Sequence, residues 1–366
     1  MALKGMKSVG LRREGAVLVF ICAMAAMLLN GGAAWAAQSG SIVAWGWNDD
    51  GQCNVPSPNS GFVVVAAGAW HCLGLKGDGS IVAWGRNDYG QCNVPSPNSD
   101  FVAVAGGNWH SLGLKGDGSI VAWGQNNYGQ CNVPSPNSGF VAVAAGWCHS
   151  LGLKGDGSIV AWGYNNYGQC NVPSPNSGFV AVAANYDHCL GLKGDGSIVA
   201  WGDNDSGQCN VPSPNSGFVA VAAGWCHSLG LKGDGSIVAW GRNNEGQCNV
   251  PSPNSGFVAV AAGWGHSLGL KGDGSIVAWG WNDYGQCNVP SPNSGFVAVA
   301  GGWVHSLGIR ETGVLPTPTP TPTPTPIPMP ERIKRYLLGL DSNPTGLDLN
   351  GDGKVDIADL IWYLLK

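Results

Sequence analysis

The stretch SIVAWGQNNYGQCNVPSPNSGFVAVAAGWCHSLGLKGDG, residues 119–157, decides the fold. Ile120-Val121-Ala122-Trp123 combines β-branched and aromatic residues and reads as a strand. Asn126-Asn127-Tyr128-Gly129 is a turn, and Cys131-Asn132-Val133-Pro134 is a short strand that its proline confines to an edge. After a loop over Ser135–Gly139, Phe140-Val141-Ala142-Val143-Ala144 is a strand apolar on both faces. Gly146–His149 turns the chain, Ser150-Leu151-Gly152-Leu153 returns it, and Lys154-Gly155-Asp156-Gly157 closes a hairpin. The unit predicts four short strands.

This unit recurs every 39 residues. Ala-Trp-Gly places Trp45, Trp84, Trp123, Trp162, Trp201, Trp240 and Trp279 at that spacing. Phe62 to Phe296 and His71 to His305 follow the same period, and the His column holds all 7 histidines of the chain. Seven units fill residues 41–313 of the 366. Copying one unit explains a composition of 59 Gly, 17 Trp and only 11% charged residues, against about 25% in an average soluble chain. Such a composition excludes a helical bundle, a coiled coil and a highly charged disordered chain. The formal charge of −5 argues against a nucleic-acid-binding surface, which should be basic.

Strands apolar on both faces need cover on both sides, and radially stacked small sheets supply it. The expected fold is all-β, a seven-bladed β-propeller. The repeats begin at an Ile-Val-Ala-Trp strand and end after Ser306-Leu307-Gly308-Ile309, so the last strands should join the first in one shared blade. That closure removes open sheet edges. A superhelical solenoid is the other architecture open to such repeats, and it would want atypical polar caps. The pattern Trp-Gly-x-Asn-x-x-Gly-Gln, followed by Val-x-x-x-Ala-Gly-x-x-His-Ser-Leu-Gly-Leu, resembles the regulator of chromosome condensation repeat family over residues 41–313. That resemblance implies a seven-bladed propeller. The present units depart from the family in Gly-Gln-Cys-Asn-Val-Pro and in a much shorter outer loop. The nucleotide-exchange activity of the family's eukaryotic founder is not carried over, since no inserted wedge matches it.

The units differ mainly at two turns, the one before His and the one after Trp-Gly. In an antiparallel sheet both lie at one end, while the Lys-Gly-Asp-Gly turns lie at the other. The variable end gathers Trp47, Trp70, Arg86, Tyr89, Trp109, Tyr128, Trp147, Tyr164, Tyr167, Tyr186, Asp187, Asp203, Asp205, Trp225, Arg242, Trp264, Trp281, Tyr284 and Trp303. Rigid aromatics, Arg and Asn are the residues of binding hot spots and paratopes. The variable end therefore reads as a recognition surface for a carbohydrate or a protein. Drift in exposed turns, or packing of the Trp, is the bland alternative.

Catalytic and metal chemistry is weaker in the sequence. The His-Ser pairs lack a carboxylate at their own end, so a turn-bracing His is the expectation. Equivalent His on sheets ~10 Å apart cannot converge on zinc, whose ligand nitrogens sit at ~2.1 Å, except on the axis. The same spacing keeps Cys53, Cys92, Cys131, Cys170, Cys209, Cys248 and Cys287 from bridging one another. They read as small buried thiols. Cys72, Cys148, Cys189 and Cys226 fall at irregular turn positions, where a few could pair with that column. Asp187, Asp203 and Asp205 read as solvated turn residues, or as the carboxylates of a glycoside hydrolase.

The flanks carry their own signals. Lys4, Lys7, Arg12 and Arg13 precede the apolar run Ala16–Leu29, and Ala34-x-Ala36 offers a cleavage site. Residues 1–36 thus read as a secretory signal peptide, leaving an acidic exported chain without a membrane span. Residues 314–330 form a Pro-Thr linker, a polyproline spacer of roughly 3.1 Å per residue. Within residues 331–366, Asp348, Asn350 and Asp352 with Gly353 match a Ca2+-binding loop. Lys354 would add a carbonyl, Asp356 a water-mediated contact and Asp359 the twelfth position, ahead of an amphipathic helix with Leu360, Ile361, Leu364 and Leu365. This small α-helical calcium-binding module resembles a dockerin, which implies a cohesin-like partner. A dockerin has two such loops, and here a helix over Glu331–Leu340 stands in place of the first. The expected protein is a non-catalytic binding propeller on a tether. A polysaccharide hydrolase and a structural surface scaffold are the alternatives.

Overall fold

The computed structural model describes residues 39–311, and within them all regular structure is β. The first strands are β1 (Gly40–Gly46), β2 (Phe62–Ala67), β3 (His71–Lys76) and β4 (Ile81–Gly85). Three-stranded units follow as β5–β7 (101–124), β8–β10 (140–163), β11–β13 (179–202), β14–β16 (218–241) and β17–β19 (257–280). The last strands are β20 (Phe296–Gly301) and β21 (His305–Glu311). Each of the five middle units is its own antiparallel sheet, while the termini share a six-stranded sheet ordered β20-β21-β1-β2-β3-β4. In that sheet β1 pairs with β21 along its whole length, from Gly40 opposite Glu311 to Gly46 opposite His305. A single pair, Gly40 opposite Phe62, joins β1 to β2.

Seven apolar clusters fill the spaces between neighbouring units. One joins Leu112, Leu114 and Ile120 of β6 and β7 to Phe140, Val143 and Trp162 of the next unit. Another sets Ile42, Leu307 and Ile309 against Phe62, Val65 and Trp84. Burying each such side chain stabilises the fold by about 1.5–3 kcal/mol. Packing is tight where the Phe ring lies on the middle strand: a Cβ on Gly152 would meet Phe140 Cε1 at 2.5 Å. Only glycine admits the ring there.

The expected fourth strand is absent from each described unit, and the Cys-Asn-Val-Pro segment belongs to a loop instead. Its polar groups are satisfied locally. Asn126 Oδ1 accepts from the Cys131 N–H at 2.8 Å, and Asn132 N–H donates to the Gly129 carbonyl. A side chain then takes over the edge pairing. Asn137 Oδ1 accepts from Ile120 N–H and its Nδ2 donates to the Ile120 carbonyl, both at 2.8 Å. One amide thus does for the edge strand what a strand backbone would.

The histidines brace neighbouring sheets rather than their own turns. Ser150 Oγ donates to the Gln130 carbonyl at 2.9 Å, so its lone pair faces His110 Nε2 at 3.0 Å. The imidazole must therefore carry its hydrogen on Nε2. The same contact runs from His71 to Ser111, His149 to Cys189, His188 to Ser228, His227 to Ser267 and His266 to Ser306. It returns from His305 to Cys72 at 3.1 Å. Every one of these rings is buried, and burial lowers their pKa values to about 3 or about 4.

The cysteines reverse their expected roles. The repeated column is half-buried, each Sγ lying near a carbonyl of its own loop, as Cys131 does to Gln125 at 3.3 Å. The four extra cysteines are the buried ones, and Cys72 and Cys189 sit in strands in place of the belt serine. All eleven described cysteines are free thiols.

Candidate binding face

The two variable turns of a unit do meet at one end. His110 stands opposite Gly124, and Gln125 N–H donates to the Trp109 carbonyl at 2.8 Å. The Lys-Gly-Asp-Gly turns cap the other end. There Asp117 Oδ1 accepts from Ser119 N–H and Oγ, while Lys115 Nζ lies 3.9 Å from the centre of the Phe101 ring.

The pre-His turns surround a funnel of about 510 Å³ lined by Trp70, Trp109, Trp147, Tyr186, Trp225, Trp264 and Trp303. Their rings form a nearly unbroken series. Ring centres lie 4.1 Å apart for Trp70 and Trp303, 4.5 Å for Trp225 and Trp264, and 4.7 Å for Trp147 and Tyr186. Tyr186 meets Trp225 at 5.4 Å, Trp264 meets Trp303 at 6.2 Å and Trp70 meets Trp109 at 6.3 Å. The gap between Trp109 and Trp147 is filled by Asn108, whose side-chain oxygen accepts from both indole N–H groups.

An outer tier surrounds this series. Trp47 packs on Tyr284, Trp281 on both Tyr284 and Trp264, and Tyr164 on both Tyr128 and Tyr167. Tyr89, Tyr128, Tyr167 and Tyr284 are exposed. Arg86 lies 4.9 Å from the Trp109 ring centre and donates to Asp88 at 2.6 Å. Arg242 lies 5.1 Å from the Trp225 ring centre.

The floor explains why the funnel is open. Gly68, Gly107, Gly146 and Gly302 line it, and a Cβ on any of them would fall 2.5–2.6 Å from the Nδ1 of the belt histidine in its own turn. In one unit Asn185 takes this place, and the backbone there departs from the others. The strand extends by one residue to Asn185, and Tyr186 adopts φ +38, a left-handed conformation that costs a bulky residue of order 1–3 kcal/mol. Asn185 compensates in part: its Oδ1 accepts from Tyr186 N–H at 2.8 Å and its Nδ2 donates to the Ala223 carbonyl at 3.1 Å.

The three aspartates do not form one site. Asp187 is buried, 1% exposed, which corrects its reading as a solvated turn residue. Its Oδ1 accepts from Gln169 Nε2 at 2.8 Å. Burial first, then the charge of Asp203, raise its pKa to about 6. Asp203 turns to its own loop, accepting from Asp205 N–H and Gln208 Nε2. Asp205 is exposed. Sequence reasoning missed Asn185 and the glycine floor, although Asn185 in the place that is Gly in the other six turns was the available signal. The calcium-loop residues Asp348, Asn350, Asp352, Lys354, Asp356 and Asp359 lie outside the described residues, as do the signal segment, the linker and the helices assigned to residues 331–366. Among the described residues no cluster of three metal-ligating side chains occurs, and no helix is long and apolar enough to cross a membrane.

Comparison with known proteins places this geometry. Residues 62–91, 101–130, 140–169, 179–208, 218–247 and 257–286 match the regulator of chromosome condensation (RCC1) repeat. No curated protein matches the chain. Among solved structures, Prp20p of Saccharomyces cerevisiae, described with its binding to Gsp1p and histones, is similar with a TM-score of 0.65. It is 19% identical and the match covers 75% of this chain and 92% of that one. Human WBSCR16 gives 0.60 at 19% identity, covering 74% and 100%. The ectodomain of the Arabidopsis thaliana receptor kinase ACR4 gives 0.56 at 24% identity, covering 67% and 91%. At these identities the likeness is one of fold, a propeller-like array of β repeats.

Proposed function

From six stretches between residues 62 and 286 that match the regulator of chromosome condensation repeat, we propose that the chain is an exported, non-catalytic binding protein whose variable end recognises a ligand. The aromatic funnel carries this reading: seven half-buried rings, one from each pre-His turn, converge on one opening. Rigid rings supply contact area at little entropic cost. We read the ring as seven blades, the six-stranded sheet dividing into β20-β21-β1 and β2-β3-β4. The full-length pairing of β1 with β21, the lone contact from β1 to β2 and the His305–Cys72 contact support that closure.

A protein is the first ligand class, since Prp20p shares the fold and is described as binding Gsp1p and histones. A carbohydrate is the second. The exposed Tyr128, Tyr167 and Tyr284 stand beside exposed Asn and Asp of the same turns, which pairs ring faces with directional hydrogen bonds. The calcium-loop residues from Asp348 to Asp359 would attach the protein through a cohesin-like partner, after export directed by residues 1–36.

Arrays of glycans and of proteins probed with the full chain test the reading. A retained ligand should be lost on combining Trp70→Ala, Trp109→Ala and Trp264→Ala, and kept on combining Lys115→Ala with Lys154→Ala. Equal binding by both variants overturns a recognition role for the variable end. Polysaccharide turnover abolished by Asp203→Asn would replace it with the hydrolase reading. A calorimetric calcium titration showing no heat at millimolar metal removes the tail assignment.

A further inference from the structure

The funnel selects among ligand chemistries. Its floor carries no positive charge near neutral pH, because burial keeps the belt imidazoles unprotonated. With each hydrogen on Nε2, every Nδ1 is a bare acceptor, buried and without a partner, and the floor glycines lie directly against these atoms. Seven lone pairs therefore ring the axis beneath the opening. All six described lysines sit at the opposite end of the molecule, in the Lys-Gly-Asp-Gly turns.

The surroundings are acidic. Asp187 is buried one residue from the funnel wall, and Asp49, Asp50, Asp203, Asp205 and Asp283 lie on neighbouring variable turns. Both arginines of this end are engaged: Arg86 is held by Asp88, and Arg242 is spread over Trp225 and Trp264. Those two contacts also show that the rings accept guanidinium groups from the chain itself. Aromatic faces attract cations, and more strongly when the pair is shielded from water. A neutral sugar gains nothing from the charge, and an anion is repelled by it.

Resting on the recognition role assigned to the variable end, we propose that the axial funnel receives the cationic head of an arginine or lysine side chain projecting from a basic polypeptide partner. Aromatic walls, acceptor lone pairs buried beneath the floor and acidic surroundings complement such a group, and a cavity of about 510 Å³ falls in the range of small-ligand pockets.

The test is fluorescence anisotropy of the full chain with a labelled short peptide alternating arginine with glycine and serine. Its twin carries citrulline, the same shape without the charge, at each arginine. The arginine peptide should bind at least about tenfold more tightly than its twin, a difference of ~1.4 kcal/mol. Trp264→Leu and Trp303→Leu, which keep apolar bulk but remove the ring face, should each weaken it by about tenfold. Asp117→Asn with Asp156→Asn, which removes acid from the far end, should leave it unchanged. Equal affinity for the twin, or equal loss in the far-end variant, overturns the proposal. Absence of peptide binding while an array ligand is still lost in the triple Trp variant overturns the cationic ligand and leaves the recognition role standing.

Discussion

The two ends of the repeat array are built from the same 39-residue unit and spend their polar groups differently. At the Lys-Gly-Asp-Gly end most groups are closed on themselves, Arg310 Nε excepted: Asp117 takes both Ser119 donors, and Lys115 caps the Pro97 carbonyl over Phe101. At the other end donors are left over. Among the described residues, Trp47 Nε1, Trp225 Nε1 and Arg242 Nε are buried without partners. A buried donor without a partner costs about 1–3 kcal/mol. Uniform turns that satisfy themselves make a scaffold, and varied turns that do not are where a ligand can still gain hydrogen bonds.

Acid should expose the largest difference. The belt histidines have folded pKa values lowered to about 3 or about 4, against 6.5 for an ordinary imidazole. Unfolded chains take up protons first, so their contribution is whole above about 6.5 and is lost as pH falls towards about 4. The far-end aspartates, held below the usual carboxylate range by Ser contacts, titrate below that window. Urea midpoints should therefore fall steeply between pH 6.5 and 4.5. A flat profile would mean that the imidazoles charge in the folded state.

Next in size is a pair of glycine substitutions in one unit. Gly146→Ala drives a Cβ into the His149 ring and should cost about 3 kcal/mol. Gly155→Ala, at the far end, meets Val141 Cγ1 at 3.5 Å, an ordinary contact, and should change stability by under about 0.5 kcal/mol. Similar losses at both would erase the distinction. A serine pair follows: Ser150→Ala strands the His110 Nε2–H, leaves the Gln130 carbonyl with the Trp162 indole alone and should cost about 2 kcal/mol, while Ser158→Ala in the far-end turn should be nearly silent.

The smallest effect reverses sign. Asp187 has a raised pKa, so the stability it contributes in its protonated form is lost as pH rises through about 6. Asp187→Asn keeps an acceptor for Gln169 and should stabilise the protein by about 1–2 kcal/mol at pH 7.5, with little change at pH 4. Asp156→Asn should slightly destabilise. Thermal melts at both pH values check the pair.

Much of this was legible in the sequence. The 39-residue period, three of the four strands per unit and the grouping of the variable turns all follow from patterning. The missing strand was hidden because Asn137 imitates a backbone, and pattern reading assigns pairing only to strands. The histidine belt links six of the seven His to the residue 40 positions on, one beyond the period, and His305 back to Cys72. Within a single unit His and Ser look like neighbours, and only placing successive units side by side makes them partners across a gap. Asp187 escaped because an Asp in a turn reads as solvated, whereas the place directly before His is an interior one, buried also where Cys148, Cys226 and Val304 occupy it.

The pairing of β1 with β21 has a mechanical consequence. Strand β21 runs from the variable end at His305 to the far end at Glu311, clamped between β20 and β1 along its length. A pull at Glu311, resisted by a ligand held at the variable end, acts along the strand axis. The hydrogen bonds on both sides of β21 then carry the load together rather than opening one after another. A molecule held at one end and tugged from the other would be stressed in its most resistant direction.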